Sequence, residues 1–289
     1  MPDVNDYIRK AMGIELPDSK KNVMEKVMVA LKSLSKNSVR DNVTEEEWKK
    51  RVDLAACYRL VAYYGWTDLI FTHISVRVPG THDNFLLNPY GLMFEEITAS
   101  SLVKLDTEGE IVMDTEFNVN AAGFTIHSAI HQAREDVDCV LHTHTVAGMA
   151  VSAQKCGLLP LAQTSLEFYD NLAYHDYEGI AFDLDERERL TGDLGGSMAM
   201  ILRNHGLLTC GRSVGEAFMK MHSLEKACQL QVAAQAGGQD LLIPSEKVCE
   251  HTARQFKGPA DDNGNGALAS LAWRALLRKL DRENPGYDS

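Results

Sequence analysis

An α/β fold with an antiparallel-rich sheet is what this 289-residue sequence predicts. Three observations carry that expectation. Strand-like runs such as "HISVRV" (73–78), "CVLHTHT" (139–145) and "SMAMILR" (197–203) are interleaved with runs whose apolar residues recur at helical spacing. Several strand candidates follow one another with no helix between, so a purely parallel arrangement of strand–helix–strand units does not suit them. Finally, 45% hydrophobic residues in a chain of this length suffice for a sizeable core.

The elements can be justified in order. Residues 1–43 are charged, with a short amphipathic pattern at Val23, Val27, Leu31 and Leu34, and read as a helical arm. Thr44 and Glu47 have the spacing of a capping box that opens a helix running to Gly65. Strands are expected at 73–78, at "NFLLNP" (84–89) and, beyond the turn "TEGE", near Ile111. A helix beyond Gly123 carries Phe124, Ile126, His127, Ile130 and Ala133, then the strand 139–145 and a helical stretch from Val146 to Lys155. The strand 197–203 breaks at "NHG" and resumes as "LLTC" (207–210), and Gly206 suits a tight turn at that break. Ser213 and Glu216 repeat the capping-box spacing before a helix that stops at Gly237 and Gly238. "GPADDNGNG" reads as a linker to a last basic helix at 267–280. The expected organisation is therefore an arm at 1–43, a domain at 44–257, and a linker with a C-terminal helix at 258–289.

Composition narrows the function classes. A net charge of −12 without a dominant cluster of Lys and Arg argues against nucleic acid as a partner. Six cysteines lack C-x-x-C spacing and sit mostly in apolar stretches, as reduced core thiols do. Charged residues interrupt the N-terminal stretch where a secretory signal would need an apolar run, and nothing reaches the roughly eighteen apolar residues of a membrane span. A cytoplasmic protein is expected.

The chemistry concentrates in histidines. His142 and His144 flank one threonine at the end of a strand, so their side chains share a face and can reach one point. A third imidazole, His205, follows the strand 197–203 in "RNHGLL". Three neutral imidazoles suit a divalent transition metal, zinc first and manganese or iron as alternatives, and leave a coordination position open as catalytic sites do. His127 and His131, four apart on one helix without an adjacent metalloprotease-type Glu, are expected at a helix surface or interface. His175 is expected to serve structure before chemistry. Glu167, Tyr169 and Tyr90 are candidates for acid/base work, with the carboxyl first if burial raises its pKa.

From about Trp48 to Gly238 the sequence resembles the class II aldolase and adducin family. The marks are "GWTDLIFTHISVRVPG", "NPYGLMFEEITASSLVKLD", "NAAGFTIHSAIHQAREDVDCVLHTHTVAGMAVSAQKCGLLPL" and "ILRNHGLLTCGRSVGEAF", in that order, with "TASSLVK", "AVSAQKCGLLP" and "AYHDYEGI" resembling the adducin head domain and its bacterial relatives most. The resemblance implies a three-layer αβα domain with a central, mostly antiparallel sheet, a homotetramer with sites near subunit interfaces, and a metal held by the H-x-H pair and the His of N-H-G, here His142, His144 and His205. It also implies Lewis-acid lyase chemistry on a small molecule.

Two departures qualify that inheritance. The Ser-Ser-acidic run that holds phosphate and does acid/base work in the family's aldolases is Ala121, Ala122 and Gly123 here, and their phosphate loop is Thr72, His73, Ile74 and Ser75. The expectation is an unphosphorylated, carboxylated substrate held by His73, Tyr90 and the helix end at Gly123. The alternatives are an adducin-like scaffold that binds actin, its metal site vestigial, and an Fe(II) oxygenase.

Overall fold

A computed structural model describes residues 38–179, 186–257 and 264–289. The chain separates into two units, Met1–Thr44 and Glu45–Ser289. Residues 1–37 of the expected arm and 258–263 of the expected linker lie outside the described residues. In the first unit Val39–Asn42 form one turn of 3₁₀ helix.

The second unit is built on a seven-stranded sheet. Its strands are β1 (Ile74–Arg77), β2 (Asn84–Leu87), β3 (Val103–Asp106), β4 (Cys139–Thr143), β5 (Ala173–His175), β6 (Ala199–Leu202) and β7 (Gly206–Gly211). They lie in the order β3-β2-β1-β4-β7-β6-β5, and every pairing is antiparallel except β5 with β6. The helices are α1 (Glu45–Tyr63), α2 (Ala121–Ala133), α3 (Val146–Ser152), α4 (Gln163–Leu166), α5 (Glu186–Leu194), α6 (Val214–Ala236), α7 (Glu246–Lys257) and α8 (Gly264–Glu283).

Alternation along the strands assigns the layers. Cys139, Leu141, Ile201 and Leu207 join the cluster formed with Leu54 and Leu60 of α1 and Phe218 and Met221 of α6. Their neighbours Val140, Met200, Leu202, Leu208 and Cys210 face the other way, onto Ile126 and Ile130 of α2 and Leu190 and Leu194 of α5. Two apolar faces, each covered by helices, give the expected three layers. Helix α8 adds Trp273, which packs on Phe218 at 5.9 Å and donates to Asp53 at 3.0 Å.

Local chemistry explains several boundaries. Ser213 caps α6 by accepting from the Glu216 N–H at 3.1 Å, while the Glu216 carboxylate reaches back to the N–H of Arg212. Ser213→Ala is expected to lower stability by about 1 kcal/mol, measured by urea unfolding. The strand expected near Ile111 shrinks to a single bridge with Leu105, because the turn closes on Asp106, whose carboxylate accepts from the N–H groups of Glu108 and Glu110. Strands β3 and β5 and helices α4, α5 and α7 were not anticipated. Strand β5 has three residues and α4 four, too short for periodicity to show.

Candidate metal centre

Strand β4 delivers the first two imidazoles. Its pairing with β7 sets His142 opposite Leu208, on the α2 face of the sheet, while Thr143 turns toward Met221 of α6. The strand ends where Thr145 caps α3: its hydroxyl accepts from the Gly148 N–H and donates to buried Glu225. His205 comes from the β6–β7 hairpin, whose backbone closes with the His205 N–H on the Leu202 carbonyl at 3.1 Å.

The expected role of Gly206 changes. The left-handed residue of this turn is Asn204, at φ +54°, and Gly206 does not adopt positive φ. Gly206 is needed for closeness instead, since a Cβ there would stand 2.4 Å from the Thr143 carbonyl oxygen and 3.2–3.3 Å from the rings of His144 and His142.

The three rings converge. Centroid separations are 4.7 Å for His142–His144, 4.7 Å for His142–His205 and 4.9 Å for His144–His205, and one ring nitrogen from each lies within 4.8 Å of the others. Their hydrogen bonds assign tautomers. His142 Nδ1–H donates to the Leu207 carbonyl at 2.8 Å, and His144 Nδ1–H donates to the Asp68 carboxylate at 3.0 Å. With both rings neutral, as a bound metal requires, both Nε2 atoms carry lone pairs, and they face each other at 2.9 Å. Two acceptors at that distance repel unless a cation lies between or beside them. Outer hydrogen bonds from Nδ1 with Nε2 left bare are the arrangement that metal-ligating histidines use, so the residues fit a divalent ion. Burial, with the neighbouring His205, His144 and His73 behind it, holds His142 well below the ordinary imidazole range, and His205 is pushed down to about 4 by burial and then by His144 and His175. Neutral, unprotonated rings are what a metal requires.

A cleft of about 510 Å³ opens beside the three histidines. Phe71, Tyr90, Met149 and Tyr177 give it exposed apolar and aromatic walls, and Thr72, His73, Asn120 and Asn204 supply its polar lining. Thr72 is a β-branched residue at φ +68°, an uncommon and strained conformation. Its Oγ1 and the Nε2 of His73 are both buried without a protein partner. Tyr58 helps fix them: its hydroxyl accepts from the Ile74 N–H at 2.7 Å and lies 2.6 Å from the Ile74 carbonyl. Gly123 lies under the His73 ring, where a Cβ would approach to 2.4 Å. The substrate-binding candidates His73 and Tyr90 thus both line the cleft, and Gly123 acts on it through His73.

Glu167 and Tyr169 stand apart from this cleft within one chain. The Glu167 carboxylate lies 3.9 Å from Lys220 of α6, the helix that covers the other face of the sheet, and its pKa is raised by burial. Asp68, Asn120, Asn204 and Tyr177 were missed, and Thr72 was placed in the loop but given no role. Asp68 had no visible signal, because 76 positions separate it from the His144 it orients.

His127 and His131 correct their expectation, since both are buried. Ser75 Oγ lies 2.7 Å from His127 Nδ1 and 2.8 Å from His131 Nε2, which pairs one nitrogen of each of the two imidazoles that α2 presses against the sheet. Burial, then Arg77, pushes His131 down to about 3. An unfolded histidine takes its proton near 6.5 and this one only near 3, so its contribution is complete above about 6.5 and is lost as pH falls toward 3. Stability should therefore fall with acid across that window, and His131→Phe should remove about one proton from the slope, measured by denaturant titrations at several pH values. His175 is likewise buried, 2.7 Å from Asp193 and 3.4 Å from Glu186.

Comparison with known proteins agrees with the fold. The family model for the class II aldolase and adducin N-terminal domain matches residues 52–232, and the chain belongs to that family. A solved aldolase II superfamily protein from Pseudomonas syringae is similar at 52% identity and a TM-score of 0.82, covering 88% of this chain and 100% of that one. L-fuculose 1-phosphate aldolase from Glaciozyma antarctica PI12 is 30% identical with a TM-score of 0.72, over 84% of this chain and 93% of that one. Alpha-adducin of Mus musculus is 43% identical over 259 residues, 86% of this chain but 35% of that protein. Among the described residues no helix is long and apolar enough to cross a membrane.

Proposed function

We propose that this protein is a metal-dependent carbon–carbon lyase, cleaving or decarboxylating next to a carbonyl in an unphosphorylated, carboxylated small molecule, as a homo-oligomer. The observation that supports it most is the pair of bare Nε2 atoms of His142 and His144 facing each other beside His205, at the edge of a cleft large enough for a small substrate. His142, His144 and His205 would hold the ion, zinc first; when bound, it supplies Lewis-acid polarisation of a carbonyl oxygen. Thr72 and His73 offer two unpartnered buried polar atoms to an anionic group, and the apolar walls shield the reacting carbons from water. The lack of serines at 121 and 122 favours a carboxylate over a phosphate there.

The test is elemental analysis of the purified chain and of His205→Ala, followed by a panel of keto acids, hydroxy acids and aldol donors. About one transition metal per chain, largely lost in the variant, with turnover of a panel member, is the expected result. A metal-loaded protein inert toward the whole panel would overturn the lyase. The 43% identity to alpha-adducin favours a second reading, a binding protein of the adducin-head type with no turnover. Cosedimentation of the purified chain with actin filaments would support it.

A further inference from the structure

The buried row of His131, Ser75 and His127 runs from a surface cleft to the His73 ring, which lines the histidine cleft. At its outer end His131 forms part of a surface cleft of about 530 Å³ that also has Asp83, Asp106, Glu108 and Glu135 in its wall. At its inner end the His127 ring stands edge-on to His73, 5.8 Å between centroids, and His73 lines the histidine cleft. The nitrogens turned away from Ser75, His131 Nδ1 and His127 Nε2, are both buried with no protein partner. Two unpartnered ends on a continuous hydrogen-bonded core are unusual in a buried network, where such groups normally find partners.

We propose that His131, Ser75 and His127 form a neutral proton relay between the acidic surface cleft and the floor of the histidine cleft. A serine hydroxyl has one proton to donate, so it can donate to one imidazole only while accepting from the other. In the first arrangement His131 Nε2–H donates to Ser75 and Ser75 O–H donates to His127 Nδ1; His127 keeps its proton on Nε2. When a base at the cleft floor takes that proton, Ser75 passes its own to His127 Nδ1, His131 Nε2 re-supplies Ser75, and His131 Nδ1 takes one from a water of the acidic cleft. One proton enters, one leaves, and every member stays uncharged. A proton released in the histidine cleft drives the reverse shift. Any turnover that takes up one proton and gives up one therefore returns the relay to its start.

Burial supports neutrality: it pushes His131 down to about 3 and His127 well below the ordinary range. Arg77 and His82 also line the outer cleft, but its four carboxylates, Asp83, Asp106, Glu108 and Glu135, outnumber them and favour proton entry there. The relay's catalytic use rests on the proposed lyase function; its existence does not.

The test is nitrogen-15 NMR of the full-length, histidine-labelled, metal-free protein near neutral pH, before any substrate is supplied. The serine constraint requires His127 and His131 to share one tautomer, both Nε2–H or both Nδ1–H, and neither to be an imidazolium. Ser75→Ala should free the two tautomers from each other and slow solvent exchange of the buried His127 N–H by about tenfold or more, while Ser75→Thr restores the wild-type rate. His131→Phe, whose ring can keep the stacking on Phe85 seen at 5.1 Å, should slow exchange equally. Opposite tautomers in the wild type, an imidazolium at either position, or exchange unchanged in the variants that fold would overturn the relay. Because none of these readouts uses metal or turnover, an intact relay in a protein inert toward the substrate panel would count against the lyase alone.

Discussion

His142→Ala is expected to bind zinc more than about a hundredfold more weakly than the unaltered chain, because orienting partners outside the ligand set alone are worth about 10–100-fold at such sites. The argument lies in the geometry around the strand end. His142 is buried, its Nδ1–H is committed to the Leu207 carbonyl, and its Nε2 faces the bare nitrogen of His144 with His205 beside them. Removing the ring deletes a preorganised donor, and among the described residues no carboxylate lines the cleft beside it. Asp68→Asn probes the same site less severely, since the amide can still accept from His144 Nδ1–H but without its charge. A loss of about tenfold is expected there. Competition against a chromophoric chelator measures both constants, and equal zinc affinity in His142→Ala and the parent would refute the ligand assignment.

Arg51→Ala is expected to destabilise the fold by about 3–5 kcal/mol, the cost of stranding one partner of a buried ion pair. Arg51 is fully buried in α1; it binds the Glu47 carboxylate at 3.0 Å and donates to the Leu102 and Ala99 carbonyls at 2.9 and 3.3 Å. Without the guanidinium, those two carbonyls lose a buried donor, and the Glu47 carboxylate loses its buried counter-charge while its contact to the half-buried Lys104, at 2.9 Å, remains. Burial lowers the Arg51 pKa, with Glu47 opposing that shift, so the pair is held by mutual compensation. The double variant Arg51→Met, Glu47→Leu removes both charges and should recover part of the loss. Guanidinium midpoints for the three proteins decide the matter; a single variant within about 1 kcal/mol of the parent would show that the pair carries little.

Residues close in sequence were readable because their spatial relation follows from local geometry. The H-x-H pair shares a face since strand side chains alternate, and Ser213 caps α6 because the cap acts within one turn. His205 was readable as a third member only through its N-H-G context and the family resemblance. Most of what surrounds these residues came from the fold. Helical spacing showed that His127 and His131 share a face, but that face turns inward because β1 brings Ser75 between them, 52 and 56 positions away. Burial likewise did not place Glu167 at the site, since Glu167, at the C-terminal cap of α4, meets Lys220 of α6 on the far face of the sheet.

What the sequence by itself determined, then, is the α/β class, the family and three candidate ligands, because these rest on periodicity and on short motifs whose geometry is set within a few residues. Only the tertiary structure decided that Asp68 orients His144, that Gly123 and Gly206 are required by close approach, and that two buried histidines meet on one serine. Each of those relations depends on which strands become neighbours, and that is settled by burying both faces of the sheet at once.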